Sequence, residues 1–532
     1  MIKDGRIWVA NNDNGEPISI NPKMANRHGL VAGATGTGKT VTLKVMAETF
    51  SDMGVPVFMA DVKGDVAGIA NPGADSEDMQ KRIARFGLNE AGFAYKGYPV
   101  TFWDIYGQKG IQLRTTISEM GPLLMSRILD LNDLQSSILS VVFKIADDNN
   151  LLLIDTKDLK SMLTYVQENA NEFAADYGKI SAASIGVIIR SIVALETEGG
   201  DKFFGEPALN INDWLTTGDG GRGMINILDS SSLINNGRLY STFLLWLLSE
   251  LFETLPEVGD LSKPKLVFFF DEAHLLFSNA TKALLDKIEQ MVKLIRSKGV
   301  GVYFCTQNPR DVPDGVLSQL GNKVQHGLRA YTPADQKAVK AAAESFRENP
   351  AFNTFDTILA LGTGEAVVSF LGDDGIPGMA QKAYILPPQS LMSAIADADR
   401  DMKIKESLLY SKYYNAVDPD SAYEFLQRRG LELQAEAEEA AAAAEAAKEA
   451  EKAAKEEAKQ AEKEAKEAEK EAQKAKKARA RAAKSVGNSV VGTVGREVGK
   501  SLGGKFGKFG KTLGGNLGAS LGRGLLSTLF KS

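Results

Sequence analysis

Eight consecutive residues decide the fold of this chain: Gly33, Ala34, Thr35, Gly36, Thr37, Gly38, Lys39 and Thr40. They have the spacing G-x-x-x-x-G-K-T, in which main-chain N–H groups turn inward and surround phosphate oxygens. An apolar run, Gly29–Ala32, precedes them and a helical pattern follows, which is the strand–loop–helix context that this motif requires. We therefore expect all eight residues to bind ATP, with Lys39 on the β- and γ-phosphates and Thr40 on Mg²⁺.

A pair of carboxylates, about 230 residues further along the chain, supplies the other half of such a site. The apolar run 265–270 predicts a buried strand, and Asp271 and Glu272 follow it directly. Taken with the phosphate loop, the pair predicts that Asp271 holds Mg²⁺ through water and that Glu272 polarises the attacking water. The plainer alternative is a helix cap, since aspartate is a good capping residue.

Two further polar residues follow predicted strands. Gln307 comes after the run 301–306, at the end of a parallel strand where ligands bind, and we expect it to sense the γ-phosphate or to position water. A simple turn residue is the alternative. Arg329 ends another predicted strand and is the candidate for an arginine that acts on a neighbouring subunit's γ-phosphate, with Arg310 and Arg296 as rivals.

Other residues near these motifs have less defined roles. His28, with Arg27 beside it, lies just before the first core strand and is assigned to the nucleotide. Asp61 ends the run 55–60 and is either a supporting group or a cap without chemistry. His274 completes the letters D-E-A-H, but the other motifs of DEAH-box helicases are absent from the sequence, so we give it no role.

The composition suits a soluble globular protein of two or three domains: 532 residues, 44% hydrophobic and 24% charged. The formal net charge of −6 argues against nucleic-acid binding through bulk charge and leaves a local basic channel open. The first residues have no apolar signal core, and the apolar runs are far shorter than the roughly 20 residues that span a bilayer. With a single cysteine, Cys305, these features lead us to expect a cytoplasmic protein.

The first 400 residues indicate an α/β fold with a mainly parallel sheet flanked by helices, because continuous apolar runs suit strands that are buried on both faces. Residues of about 112–255 are mostly helical in pattern, and they are predicted to contain an α-helical insertion into the core. The predicted strands are 29–32, 55–60, 98–103, 224–228, 265–270, 301–306, 323–328 and 365–371.

Three segments follow the core: a helical connector (401–432), a long charged helix (433–484) and a Gly-rich basic tail (485–532). The charged segment is dominated by Ala, Glu and Lys, which favour helix. It has no a/d apolar stripe, so we expect a solvated single-helix spacer rather than a coiled coil, with a partner-binding helix as the alternative. The tail, with glycine at every fourth residue, fits a disordered basic tail, a self-associating helix pair or a segment on an anionic membrane surface.

Several segments together resemble HerA-like ATPases, namely 27–40, 61–65, 271–274, 306–309 and 364–369. Over about residues 1–400 the chain looks like the bacterial family called domain of unknown function 853, the HerA-like C-terminal-domain proteins. The resemblance implies a RecA-like core, Mg²⁺-dependent ATP hydrolysis and ring hexamers that translocate DNA. Carried over by motif, the functional residues are Lys39 and Thr40 for nucleotide and Mg²⁺, Asp271 and Glu272 for hydrolysis, Gln307 as sensor and Arg329 as the arginine supplied in trans.

The leading hypothesis is thus a homo-oligomeric, hexameric ATP-driven motor acting on DNA, with residues 64–76 suggested as a pore loop. About 28 residues precede the core, so the N-terminal β-barrel of HerA itself is not expected. The alternative is an ATP-dependent switch or scaffold that acts on a protein partner or a membrane surface through residues 485–532. The intact pair of Asp271 and Glu272 argues against a protein that binds ATP without hydrolysing it.

Overall fold

The computed structural model describes residues 1–277 and 282–482. The tail 485–532, with its three alternatives, lies outside the described residues. Within the described ranges the strands form one sheet of thirteen. The strands are β1 (Ile2–Lys3), β2 (Arg6–Asn11), β3 (Pro17–Ile20), β4 (Gly29–Ala32), β5 (Val57–Asp61), β6 (Val100–Asp104), β7 (Ile111–Gln112), β8 (Ile225–Asp229), β9 (Leu266–Phe270), β10 (Val300–Thr306), β11 (Asn322–His326), β12 (Glu365–Ser369) and β13 (Gln381–Ile385).

The α-helices of the described ranges lie between and after these strands, and five of them, α3 to α7, follow one another between β7 and β8. They are α1 (Lys39–Asp52), α2 (Glu77–Arg85), α3 (Ile117–Ile128), α4 (Asp133–Asp148), α5 (Thr156–Glu168), α6 (Ala170–Tyr177), α7 (Ala182–Thr197), α8 (Gly237–Thr254), α9 (His274–Phe277), α10 (Lys282–Ile295), α11 (Asp314–Leu317), α12 (Pro333–Glu344), α13 (Thr354–Ala360), α14 (Asp397–Glu406), α15 (Tyr410–Tyr413) and α16 (Ala422–Ala482).

Eight neighbouring strands of the sheet are parallel, in the order β11-β4-β10-β9-β5-β8-β6-β7. The strands β4, β5, β8, β9 and β10 are buried along their whole length, as continuous apolar sequences require when helices cover both faces of a sheet. All eight predicted strands are present, with ends that differ by a few residues. The predicted α/β class with a mainly parallel sheet is therefore confirmed.

Strand β10 lies between the strands that lead to the two sequence motifs. Its register pairs Thr306 with Ala32 of β4 and Phe304 with Phe270 of β9. Neighbouring strands are about 4.8 Å apart, so the ends of β4 and β9 are separated by about 10 Å at the same edge of the sheet. The close packing of β4 explains Gly29 at its start, since a Cβ there would lie 2.4 Å from the Tyr303 ring.

The other edge of the sheet is antiparallel. β12 pairs with β11, β13 with β12, and β2 with β13. The strands β1 and β3 both pair with β2. The roughly 28 residues before β4, to which the sequence assigned no fold, therefore extend the sheet that carries the phosphate loop.

The helical stretch between β7 and β8 is narrower than the predicted range 112–255. Helices α3 to α7 occupy residues 117–197, after which β8 enters the sheet between β5 and β6. Helix α8 then packs against α3, α9 and α10 and is buried from Leu239 to Leu248. The last part of the predicted range therefore belongs to the sheet and its covering helices.

The structure divides into two compact units. The first comprises residues 1–147, 152–167 and 181–421, which include the sheet; the second, within the described ranges, comprises residues 148–151, 168–180 and 422–482. The second unit contains α16, 61 residues long and hence about 90 Å at 1.5 Å per residue. Its ion pairs Glu451–Lys455 and Glu462–Lys466 have the i, i+4 spacing that supports a helix in water. A role as a spacer stays a prediction.

Among the described helices, none is both long enough and apolar enough to cross a membrane by itself. One bent pair, Ala170–Tyr177 with Ala182–Thr197, meets the criterion on length and composition only when its two helices are taken together.

Candidate functional site

The phosphate loop runs from the end of β4 to the first turn of α1. Gly38 precedes α1 with φ 110°, and no side chain caps the helix. The first N–H groups of a helix have no partner within the helix, so those of α1 are available to an anion. Position 33 has no room for a side chain, because a Cβ on Gly33 would lie 2.5 Å from the Cβ of His326. Within the loop itself, the N–H groups of Gly33 and Ala34 donate to the carbonyl oxygens of Thr306 at 3.2 Å and Gly327 at 3.0 Å, so the donors that face an anion are those at the start of α1.

Lys39 lies folded against this loop. Its Nζ donates hydrogen bonds to the carbonyl oxygens of Gly33 at 2.6 Å and Ala34 at 3.0 Å. Burial lowers the pKa of the ammonium group, although the carboxylates of Asp271 and Glu272 act in the opposite direction. The amine is therefore already at the loop, beside the carboxylates that follow β9.

His326, the last residue of β11, packs against Gly33 of the phosphate loop. The sequence had suggested no role for it. Its Nδ1 lies 2.9 Å from the Glu365 carbonyl oxygen, and its Nε2 lies 2.8 Å from Thr42 Oγ1 on α1. The carbonyl can only accept, so Nδ1 carries the hydrogen and Nε2 accepts from the Thr42 hydroxyl. Burial lowers the pKa of His326 to about 4, so that the ring is neutral. His326 thereby joins α1 and the start of β12 beneath the phosphate loop.

Asp271 begins the second half of the site, directly after β9. Its Oδ1 accepts a hydrogen bond from the Glu272 N–H at 2.9 Å, and the Cys305 thiol on β10 hydrogen-bonds to the same carboxylate. Tyr240 of α8 donates its hydroxyl to the Asp271 carbonyl oxygen at 3.0 Å. Burial, and next the neighbouring Glu272, raise the pKa of Asp271. The carboxylate is thus fixed and largely desolvated one strand away from Lys39.

Glu272 is held in an unusual conformation by groups from three segments. Its φ is 48°, in the left-handed region that costs a residue with a side chain about 1 kcal/mol or more. Lys63 Nζ is 3.3 Å from Oε1, and His274 Nδ1 is 3.3 Å from Oε2. The Gln307 amide nitrogen lies 3.4 Å from both oxygens. The nearly buried carboxylate therefore has one fixed direction.

Lys63 is the second residue of this site that the sequence did not single out. It stands in the segment 61–65 that carries the family resemblance, but no spacing connects it with a carboxylate 209 positions away. Although partial burial opposes the effect, Glu272 and then Asp271 raise the pKa of the Lys63 ammonium group. His274, which we had given no role, likewise belongs to the surroundings of Glu272.

Asp61 stabilises the loop that directly follows β5. Its two carboxylate oxygens accept hydrogen bonds from the Gly64 N–H at 2.7 Å and the Ala67 N–H at 3.0 Å. Burial, and next Asp65, raise its pKa to about 6. It shapes the loop that carries Lys63. The suggested pore loop 64–76 is packed in its middle: residues 66–70 are buried, and a Cβ on Gly68 would lie 2.0 Å from the Ser393 carbonyl oxygen. On either side of this stretch the loop is half-buried or exposed, and residues 72 and 74–76 are its exposed part.

The structure corrects the assignment of His28 to the nucleotide. His28 precedes β4, whereas the phosphate loop follows it, and four strand residues separate the two by about 13 Å. Its Nδ1 accepts a hydrogen bond from the Val302 N–H at 3.1 Å, and burial lowers its pKa to about 4. His28 and the adjoining Arg27 thus lie at the opposite edge of the sheet, where His28 is a buried structural residue.

The three candidate arginines have different positions. Arg329 lies three residues beyond the end of β11 and is exposed, with one long contact of 3.4 Å to the Leu359 carbonyl oxygen. Arg310 is exposed in the turn Pro309–Asp311, close to Gln307 in sequence. Arg296 precedes β10 at the other edge and lies 3.8 Å from Asp260. Which of them acts in trans stays a prediction.

The donors predicted for a metal suit Mg²⁺. Thr40 and Asp271 offer a hydroxyl and a carboxylate, and Mg²⁺ prefers such oxygen ligands, completing its shell with water and nucleotide phosphates. The half-exposed Thr40 hydroxyl has no hydrogen bond to any residue in ranges 1–277 and 282–482. Both residues stand at the carboxyl edge of the parallel strands, one on each side of β10.

A phosphate loop, a carboxylate pair and a polar residue after three parallel strands define a P-loop NTPase with a RecA-like core. The family model described as helicase HerA-like C-terminal matches residues 7–511, and the chain belongs to this family.

Known proteins similar to this chain include helicases and a conjugation protein. The DNA double-strand break repair helicase HerA of Sulfolobus acidocaldarius is 23% identical over 362 residues, covering 66% of this chain and 63% of that protein. The helicase of the same name from Sulfurisphaera tokodaii is 23% identical over 366 residues, covering 66% and 64%. This chain therefore spans less than two thirds of the length of either. The structure of the plasmid coupling protein TrwB in complex with the ATP analogue ADPNP superposes on this chain with a TM-score of 0.51 at 17% identity. The match covers 75% of this chain and 92% of the TrwB chain, and it shows a similar fold.

The neutral state of His326 predicts a pH dependence. Because the folded chain protonates His326 only near pH 4, whereas the ordinary value is 6.5, acidification between these values favours the unfolded state. The stability associated with this histidine is thus fully present above pH 6.5 and is lost as the pH falls towards 4. Hydrogen–deuterium exchange at the imidazole C2 carbon, read by mass spectrometry, should show no titration midpoint of His326 between pH 5 and 8.

Protein unfolded in urea is the control, in which the same peptide should titrate near pH 6.5. A midpoint above pH 6 for folded His326 would contradict the arrangement with Thr42 and Glu365.

Proposed function

We propose that this chain is a Mg²⁺-dependent ATPase that works as a self-associating motor on DNA. The observation that carries the proposal is the Glu272 carboxylate, fixed at the carboxyl edge of the sheet by Lys63, His274 and Gln307. A site for binding alone has no use for a buried carboxylate held beside the phosphate loop at a cost in backbone strain.

The residues divide the reaction between them. The loop amides and Lys39 hold the β- and γ-phosphates in place. Glu272 accepts a proton from the attacking water while the water oxygen bonds to the γ-phosphorus. The bond from that phosphorus to the ADP oxygen breaks at the same time. In this proposal Gln307, whose amide nitrogen lies 3.4 Å from both carboxylate oxygens of Glu272, orients that water. Thr40 and Asp271 would hold Mg²⁺, which when bound neutralises charge on the phosphate oxygens.

The proposals of DNA as substrate and of self-association have separate support. The family description names a helicase, and the relatives from Sulfolobus acidocaldarius and Sulfurisphaera tokodaii are named DNA double-strand break repair helicases. Because this chain spans less than two thirds of those relatives, their activity is a proposal here. An exposed Arg329 beyond β11 suits an arginine donated to a neighbouring copy, and a ring hexamer is the assembly we propose.

Replacing the proposed base should separate binding from hydrolysis. Glu272→Gln keeps the shape of the side chain but cannot take a proton, so the rate of phosphate release should fall by about 10²-fold to 10⁴-fold. ATP binding should be retained. Steady-state phosphate release, with and without duplex and single-stranded DNA at moderate salt, is the measurement. DNA should raise the wild-type rate several-fold.

The control variant is His28→Gln, at the opposite edge of the sheet, which should hydrolyse ATP normally if it folds. Hydrolysis that persists in Glu272→Gln would contradict the assignment of the base. If no nucleic acid changes the rate of ATP hydrolysis by the wild type, the motor proposal is contradicted. That result would favour the alternative, a switch acting on a protein partner or membrane surface.

An arginine in trans predicts complementation between two inactive variants. Glu272→Gln and Arg329→Ala should each lose most activity, the second because developing charge on the γ-phosphate is left unbalanced. Co-expression with two affinity tags, followed by tandem purification, yields mixed oligomers. In these, some interfaces combine an intact Glu272 with an intact Arg329, about a quarter of them for random mixing, and phosphate release should reappear.

Arg310→Ala and Arg296→Ala, each co-expressed with Glu272→Gln, are the matched controls. Failure of Arg329→Ala to complement, or complementation by Arg310→Ala in its place, would show that Arg329 is not the trans arginine.

A further inference from the structure

The Arg82 guanidinium lies near the phosphate loop, and no side chain of the described ranges pairs with it. Arg82 is half-buried on α2, and its guanidinium packs on Gly364, the residue before β12. A Cβ on Gly364 would lie 3.1 Å from Arg82 Nη1 and 3.6 Å from Nη2. Gly364 has φ 79°, so both its conformation and its lack of a side chain suit a close approach of the guanidinium.

Gly364 in turn is bound to the phosphate loop. Its N–H donates to the Thr37 carbonyl oxygen at 3.0 Å, and the Thr363 hydroxyl lies 3.5 Å from the Gly36 carbonyl oxygen. A Cβ on Gly38 would lie 3.2 Å from the Gly364 nitrogen. The guanidinium is therefore separated from the phosphate loop by the thickness of one main chain.

The other cations of α2 are engaged elsewhere. Lys81 forms an ion pair with Glu77 at 2.6 Å, and the Arg85 guanidinium stacks on the Tyr384 ring at 3.8 Å. The Arg82 main chain accepts a hydrogen bond from the Phe86 N–H, but its guanidinium has no hydrogen bond and no ion pair with any residue of the described ranges. A half-buried cation loses hydration without compensation unless an anion joins it. Its position therefore indicates a ligand that carries negative charge.

The order of the strands indicates which phosphate of a bound nucleotide would lie near Arg82. The residues for the γ-phosphate and water, Glu272 and Gln307, follow β9 and β10 on one side of β4. Gly364 and Arg82 lie on the other side, towards β11 and β12. A triphosphate held with its γ end near Glu272 extends its α end in the opposite direction.

We propose that Arg82 binds the α-phosphate of the nucleotide in its own subunit. The planar guanidinium offers paired N–H donors that match two phosphate oxygens, a geometry that a lysine lacks. This inference rests on the proposed function, since it needs a nucleotide on the phosphate loop. It adds a binding residue that contributes equally to ATP and ADP, because both carry the α-phosphate.

The test is equilibrium binding of ADPNP and of ADP, both with Mg²⁺, to full-length wild type and variants. Arg82→Ala should weaken both ligands by a similar factor, about 10-fold to 100-fold for a charge-assisted hydrogen bond. Arg82→Lys, which keeps the charge and loses the fork, should recover part of the loss. Arg85→Ala removes the same charge from the next turn of α2 and should bind both ligands like the wild type.

Three results would overturn the assignment of Arg82: unchanged binding by Arg82→Ala, a loss confined to ADPNP, or an equal loss in Arg85→Ala. The second result would place the contact at the γ-phosphate. A wild-type protein that binds neither ligand would instead overturn the proposed function itself, so the two failures are distinguishable. Circular dichroism of Arg82→Ala and Arg82→Lys verifies that both variants are folded.

Discussion

The parallel register of β4, β10 and β9 is the constraint on which the rest of the structure depends. Parallel strands bring their carboxyl ends to one edge, so segments far apart in the chain meet there. Thr306 pairs with Ala32 while Phe304 pairs with Phe270, which sets the phosphate loop and the carboxylate pair on either side of β10. A slip of one residue in either pairing would turn these side chains to the other face of the sheet.

Burial decides how the charges at this edge behave. Cys305 lies on β10, between the phosphate loop and the carboxylate pair, and hydrogen-bonds to the Asp271 carboxylate. The Tyr240 hydroxyl donates to the Asp271 carbonyl oxygen. Glu272 has a strained backbone, but Lys63 and Gln307 fix its carboxylate from two different loops. The site thus consists of a carboxylate pair and a phosphate loop that carries Lys39, with Cys305 on the strand between them.

The sequence predicted the parts of the site that local motifs encode. The strand before Gly33, the loop with Lys39, and the strand before Asp271 are each continuous segments whose pattern determines their structure. The residues that the sequence missed reach the site through tertiary folding. His326 contacts Thr42 across 284 positions, and Arg82 reaches Gly364 from a helix whose sequence shows only an amphipathic surface pattern.

The wrong assignment of His28 has a different origin. Nearness in sequence to the loop suggested nearness in space, but one strand separates them, and a strand carries its two ends to opposite edges. The narrower helical insertion has a related cause, since apolar helices such as α8 look alike whether they cover the sheet or belong to an insertion. For the second unit, the Ala, Glu and Lys composition of α16 determines a helix but no partner.

The most direct test of the central claim, that two strand ends form one Mg²⁺-nucleotide site, is an equilibrium titration of ADPNP with and without Mg²⁺. In the wild type, Mg²⁺ should tighten binding. Asp271→Asn should keep the weaker, metal-free affinity and lose the gain from Mg²⁺, while Lys39→Ala should bind poorly under both conditions. A full gain from Mg²⁺ in Asp271→Asn, or unaltered binding by Lys39→Ala, would contradict the account.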